Sequence, residues 1–67
     1  MNISQRIKEL REERGLSIDA LAEKVSISSR MIYYWETGKY DPKAYLIIRL
    51  ADFFDVSADY LLGRKDF

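Results

Sequence analysis

Ser28-Ser29-Arg30-Met31-Ile32-Tyr33-Tyr34-Trp35-Glu36 is the stretch on which the fold turns. Laid out at about 100° per residue, it sorts its side chains onto two sides. Ile32 and Trp35, with Ser28, point one way; Ser29, Arg30, Tyr33 and Tyr34 point the other, with Met31 and Glu36 on the flanks. Ser28 is a residue type that caps a helix start, and Thr37-Gly38 supplies the stop. One side suits a core. The other carries an arginine, two tyrosines and a serine, all able to hydrogen-bond. Such a helix fits a DNA major groove, where arginine pairs with guanine and a tyrosine ring meets a thymine methyl or donates to phosphate. The same residue types are enriched at protein-binding hot spots, so the wheel alone leaves both surfaces open.

Helical spacing continues on either side. Ile3, Ile7 and Leu10 recur at four and three before Gly15, predicting a helix over 3–14. Ser17 caps a second helix over 18–25, with Leu21, Ala22 and Val25 inward and Asp19 in the first turn. The quoted helix spans 29–36. Asp41 as cap and Pro42 at the first helical position predict a fourth helix over 42–54, with Ala44, Ile47, Ile48, Ala51 and Phe54 inward. Ser57 caps a last one over 58–62, stopped by Gly63. No strand-like alternation appears. The expected fold is all-α, five short helices in one domain over 1–67.

Composition narrows the chemistry. The chain has 67 residues and neither cysteine nor histidine. That argues against a disulfide framework, a structural zinc site and histidine acid–base catalysis. Asp52, Asp55 and Asp59 resemble a carboxylate cluster, but they straddle a helix end and the next cap, without the chain length to build a cleft; no enzyme, metal or cofactor is expected. No apolar run approaches the ~18 residues of a membrane span, and the amino terminus lacks a secretory apolar stretch, so a cytoplasmic protein is expected. Eleven basic residues balance eleven acidic ones. Nucleic-acid binders usually carry a basic footprint, so any DNA affinity here has to come from a local face and from pairing of copies.

The order of the pieces is more telling than any one of them. Arg6-Ile7-Lys8-Glu9-Leu10-Arg11, Gly15-Leu16-Ser17 and Leu21-Ala22-Glu23-Lys24 are followed by Ile27-Ser28, Ile32, Trp35-Glu36, Gly38-Lys39 and Pro42. Leu50-Ala51, Val56-Ser57 and Asp59-Tyr60-Leu61-Leu62-Gly63 complete the series. The whole resembles the Cro and lambda-repressor-like helix-turn-helix family, regulators of the xenobiotic-response-element type. The resemblance implies a five-helix fold and sequence-specific binding of double-stranded DNA, with a dimer repressing transcription from a palindromic operator. By position it makes Ser28, Ser29, Arg30, Tyr33 and Tyr34 the base-reading set. It places Ser17, Thr37, Lys39 and Lys43 near backbone phosphates, and it pairs Arg11 with Glu36 as a structural ion pair.

Three departures bear on strength. Ile18 stands where relatives carry a phosphate-anchoring glutamine, Ser26 replaces the turn glycine, and Tyr40 occupies a position often basic. They imply weaker backbone attraction and a strained turn rather than another fold. Tyr45, Leu46, Phe53 and Phe67 exceed what the expected core stripe needs. Phe53, Leu61 and Phe67 are therefore candidates for a homodimer surface, the alternative being that they complete a small core. A different class of function also fits: a protein-interaction module on the same scaffold, antitoxin-like or an anti-regulator.

Overall fold

The computed structural model describes residues 3–66. Five helices follow one another: α1 (Ile3–Glu13), α2 (Ile18–Val25), α3 (Ser29–Thr37), α4 (Ala44–Phe54) and α5 (Ala58–Leu61), with no strand among the described residues. Serine capping starts three of them. Ser17 Oγ accepts from the Ala20 amide at 3.0 Å, Ser28 Oγ from Met31 at 3.2 Å, and Ser57 Oγ from Tyr60 at 3.0 Å. Each satisfies one of the orphan N–H groups of a helix start. Gly38, at φ 82°, closes α3 in the left-handed conformation, its N–H bonded to the Trp35 carbonyl at 3.2 Å.

The apolar stripes meet in one core. Ile7, Leu21, Ile32, Trp35, Leu50 and Leu61 are fully buried at its centre. α1 packs on α3 and α5, α2 on α3 and α4, and α4 on α5. Thus α2 and α3 form the helix-turn-helix, backed by α1 and α4.

Helix four departs from the expectation at both its start and its face. It begins at Ala44 rather than Pro42, with Lys43 as the extended cap residue (φ −69°, ψ 158°). Pro42 is buried, and Asp41 does not cap the helix, because Lys43 takes the cap position. Its buried residues are Leu50, Ala51 and Phe54, while Ile48 is 57% exposed. This helix has apolar side chains on nearly every side, so periodicity did not say which side turns inward. Minor shifts at other ends (α1 to Glu13, α3 to Thr37, α5 to Leu61) leave the order unchanged.

Of the homodimer candidates, Leu61 is corrected: it is fully buried in the core of the single chain. Phe53 is half-buried against the core, its ring edge-on to Phe54 at 5.1 Å. Phe67 lies outside the described residues.

Arginines stitch the helices together by reaching backbone carbonyls. Arg14 donates to the Phe54 carbonyl at 2.7 Å, and Arg49 to the Val25 carbonyl at 3.3 Å. Arg6 stacks on the Tyr60 ring at 4.1 Å. The firmest tie is Arg11. Its Nε and Nη2 donate to the two Glu36 carboxylate oxygens at 2.7 and 2.9 Å, and its Nη1 donates to the Leu16 carbonyl at 2.8 Å. Both side chains are nearly buried, 11% and 5% exposed. Hydrogen bonding to Glu36 raises the Arg11 guanidinium above its ordinary value, against the opposing pull of desolvation.

Ser26, in the turn between α2 and α3, adopts φ 59° and ψ 45°. A non-glycine residue there costs about 1–2 kcal/mol. Glycine would relieve that strain while adding backbone entropy to the unfolded chain. Ser26→Gly is therefore expected to stabilise the domain by about 0.5–1 kcal/mol, read as a raised thermal midpoint. Glu36→Ala leaves the Arg11 charge buried without its partner and should cost about 3 kcal/mol in urea denaturation. Arg11→Met combined with Glu36→Leu, removing both charges, should be more stable than Glu36→Ala alone.

Candidate nucleic-acid interface

A reading helix needs a fixed position, and α3 is fixed from both ends. At its start Ser29 Oγ donates to Asp19 Oδ1 at 2.5 Å, tying α3 to α2; at its last turn Glu36 is clamped by Arg11 of α1. Ile32 and Trp35 anchor the inner side. What remains outward is the surface the wheel singled out.

Hydroxyl protons divide the five base-reading candidates. Ser28 Oγ accepts a bond from Met31, so its own proton stays free to donate outward. Ser29 has already given its proton to Asp19 and can offer a ligand only lone pairs. Arg30 is exposed and makes no hydrogen bond or ion pair to another described residue. Tyr33 is 54% exposed, its ring 6.2 Å from that of Tyr34. Tyr34 is half-buried: Tyr40 meets its ring edge-on at 5.4 Å, and the Lys39 ammonium lies 4.7 Å from its centroid. Arg30 and Tyr33 are thus the side chains with the most freedom to meet a base edge.

The folding-back of Tyr40 has a backbone cause. The Tyr34 carbonyl accepts from the Lys39 amide at 2.9 Å and the Tyr40 amide at 3.4 Å, wrapping the chain around the end of α3. The Lys39 ammonium lies 4.7 Å from the Tyr34 ring centroid and 5.7 Å from that of Tyr40, while the residue as a whole stays exposed.

The four phosphate candidates divide in the same way. Ser17 caps α2 as an acceptor and keeps a proton to give. Thr37 donates its hydroxyl to the Tyr34 carbonyl at 3.2 Å, which removes its proton from outward use. Lys39 and Lys43 are exposed cations. Lys43 caps α4 with no side-chain acceptor, leaving that helix's first amides open toward any anion. Ile18, at the position where the resemblance implies a glutamine, is half-buried against the core.

Sequence reasoning missed two contributors. Asp19 orients Ser29 across ten positions of chain, a pairing no local spacing announces. Tyr40, noted only as a departure from basic residues, belongs to the aromatic cluster around Lys39. Among the described residues no group of acidic, histidine or cysteine side chains could hold a metal ion, and no helix is long and apolar enough to cross a membrane.

Comparison with known proteins agrees with this geometry. A family model described as helix-turn-helix matches residues 7–61. The chain is 32% identical over 66 residues to the HTH-type transcriptional regulator ImmR of Bacillus subtilis, covering 98% of this chain and 52% of that protein. It is 33% identical over 64 residues to an uncharacterized HTH-type transcriptional regulator, MJ0272, of Methanocaldococcus jannaschii, covering 96% and 97%. A crystal structure of an HTH_3 family transcriptional regulator from Vibrio cholerae superposes with a TM-score of 0.82 at 28% identity, over 96% of this chain and 36% of that one. The chain spans about half the length of curated relatives such as ImmR. Fold, site geometry and relatives converge: this chain belongs to the helix-turn-helix family of transcriptional regulators.

Proposed function

We propose that this chain binds a specific double-stranded DNA operator in the cytoplasm and represses transcription, two copies sharing a palindromic site. The observation that carries this reading is the free outward face of α3, where exposed Arg30 and Tyr33 stand on a helix clamped at both ends. Arg30 pairs with a guanine through its two-pronged guanidinium; Tyr33 presents a ring to a thymine methyl. Tyr34 and Ser28 add donors at the edges of that contact, and Ser29 an acceptor. Lys39, Lys43 and Ser17 donate to phosphates and set the helix's register on the duplex. Thr37 contributes less than the resemblance implied, because its proton is already engaged.

Charge supports a modest binder. Arg6, Arg11, Arg14 and Arg49 act within the fold, so Arg30, Lys39 and Lys43 carry most of the local attraction. One such module contacts only about 600–1,000 Å² of DNA surface. Two copies about 34 Å apart would read successive major grooves on one side of the duplex, and a polymerase would be excluded from the stretch they cover.

Selection of bound fragments from random duplexes tests the reading directly and should return an inverted repeat. On the recovered site Arg30→Ala should lose about 1–3 kcal/mol and relax the preference at one base position. Lys39→Ala should weaken all sequences alike and reduce the salt slope by about 1. Absence of binding to any duplex in low salt would favour a protein-interaction module, for which the exposed tyrosines are equally suited.

A further inference from the structure

Asp19 and Ser29 stand on the two arms of the helix-turn-helix, and the bond between them runs in one direction only. Ser29 Oγ lies 2.5 Å from Asp19 Oδ1. An ionised carboxylate has lone pairs but no proton, so the shared proton is the serine's. Neither side chain has a second polar partner among the described residues. The serine oxygen therefore keeps lone pairs for a ligand and has nothing left to donate.

Ser29 is the first residue of α3, the end of a reading helix whose side chains meet base edges. Ser28, one residue earlier, is set the opposite way: its Oγ accepts from the Met31 amide at 3.2 Å and keeps a proton to give. In the major groove adenine and cytosine present an amino group, at N6 or N4. Guanine and thymine present a carbonyl oxygen instead, at O6 or O4. A serine that can turn its hydroxyl meets either kind and discriminates little. One whose proton is already held gives an amino group a hydrogen bond, but sets its lone pairs against those of a carbonyl.

We infer that Asp19 is a positioning residue for sequence specificity: by holding the Ser29 proton, it makes the start of α3 select adenine or cytosine over guanine or thymine at one position of each half-site. The inference rests on the operator reading and deepens it by naming a base class. Asp19 acts through Ser29 and needs no base contact of its own. It also brings an exposed negative charge to the surface that faces a polyanion, so its contribution is discrimination and not affinity.

Fluorescence anisotropy on the site selected from random duplexes tests it. Four duplexes differing only at that position should separate into two pairs at least about fivefold apart in affinity for the native chain, adenine and cytosine above guanine and thymine. Ser29→Ala should abolish this division. Asp19→Ala should close the gap mainly by tightening the guanine and thymine duplexes, because the freed hydroxyl can then donate to their carbonyls. Adding Asp19→Ala to Ser29→Ala should change the preference no further. If Asp19→Ala weakens all four duplexes alike, Asp19 is only a tie between α2 and α3 and the inference is overturned. It is overturned as well if the preference survives in Ser29→Ala, since Asp19 would then read the base itself. An operator bound without any such position overturns this inference and leaves the operator reading standing; a chain that binds no duplex overturns both.

Discussion

The Arg11–Glu36 pair is the contact on which the rest of the molecule depends. α3 is short, and its inner side offers the core only Ile32 and Trp35. Two apolar anchors hold a helix against the core but leave its rotation and sliding loosely set. A two-pronged guanidinium–carboxylate contact is directional, and Arg11 fastens the last turn of α3 to α1 while its third donor fixes the Leu16 carbonyl ahead of α2. A single side chain thereby sets the relation of α1, the loop and α3. Near-burial of both partners makes the contact costly to form and costlier to break on one side, so its main yield is orientation.

Seen from that clamp, the neutral charge is less of a puzzle. Arginine guanidinium groups close α2 and α4 by binding carbonyls at their ends, at Val25 and Phe54, and Arg6 packs on Tyr60. These cations stabilise a domain too small to rely on its core alone. The positive charge left facing outward near α3 is local, and two of its three members lie in or just after the turn that closes that helix. Lys39, exposed, keeps its ammonium near the Tyr34 and Tyr40 rings.

Hydroxyl groups show why residue type alone does not define a site. Ser17, Ser28, Ser29 and Thr37 look interchangeable in the sequence. In the fold the first two accept bonds at helix starts and keep their protons, while the other two have donated theirs to Asp19 and to the Tyr34 carbonyl. The direction of one hydrogen bond changes what each can offer DNA.

The sequence by itself determined the five helices, their order and the outward face of α3. Those features follow from local causes: apolar spacing, serine caps at 17, 28 and 57, and glycine stops at 15, 38 and 63. Tertiary structure alone decided the rest. Helix α4 carries apolar side chains on nearly all sides, so only packing against α2 and α5 selected Leu50 and Phe54 for the core and left Ile48 outside. α4 starts at Ala44, past the buried Pro42, and Leu61 lies in the core. The Asp19–Ser29 bond needed α2 and α3 brought together. A local pattern fixes an element when one side of it is clearly apolar; where several sides compete, the neighbouring helices make the choice.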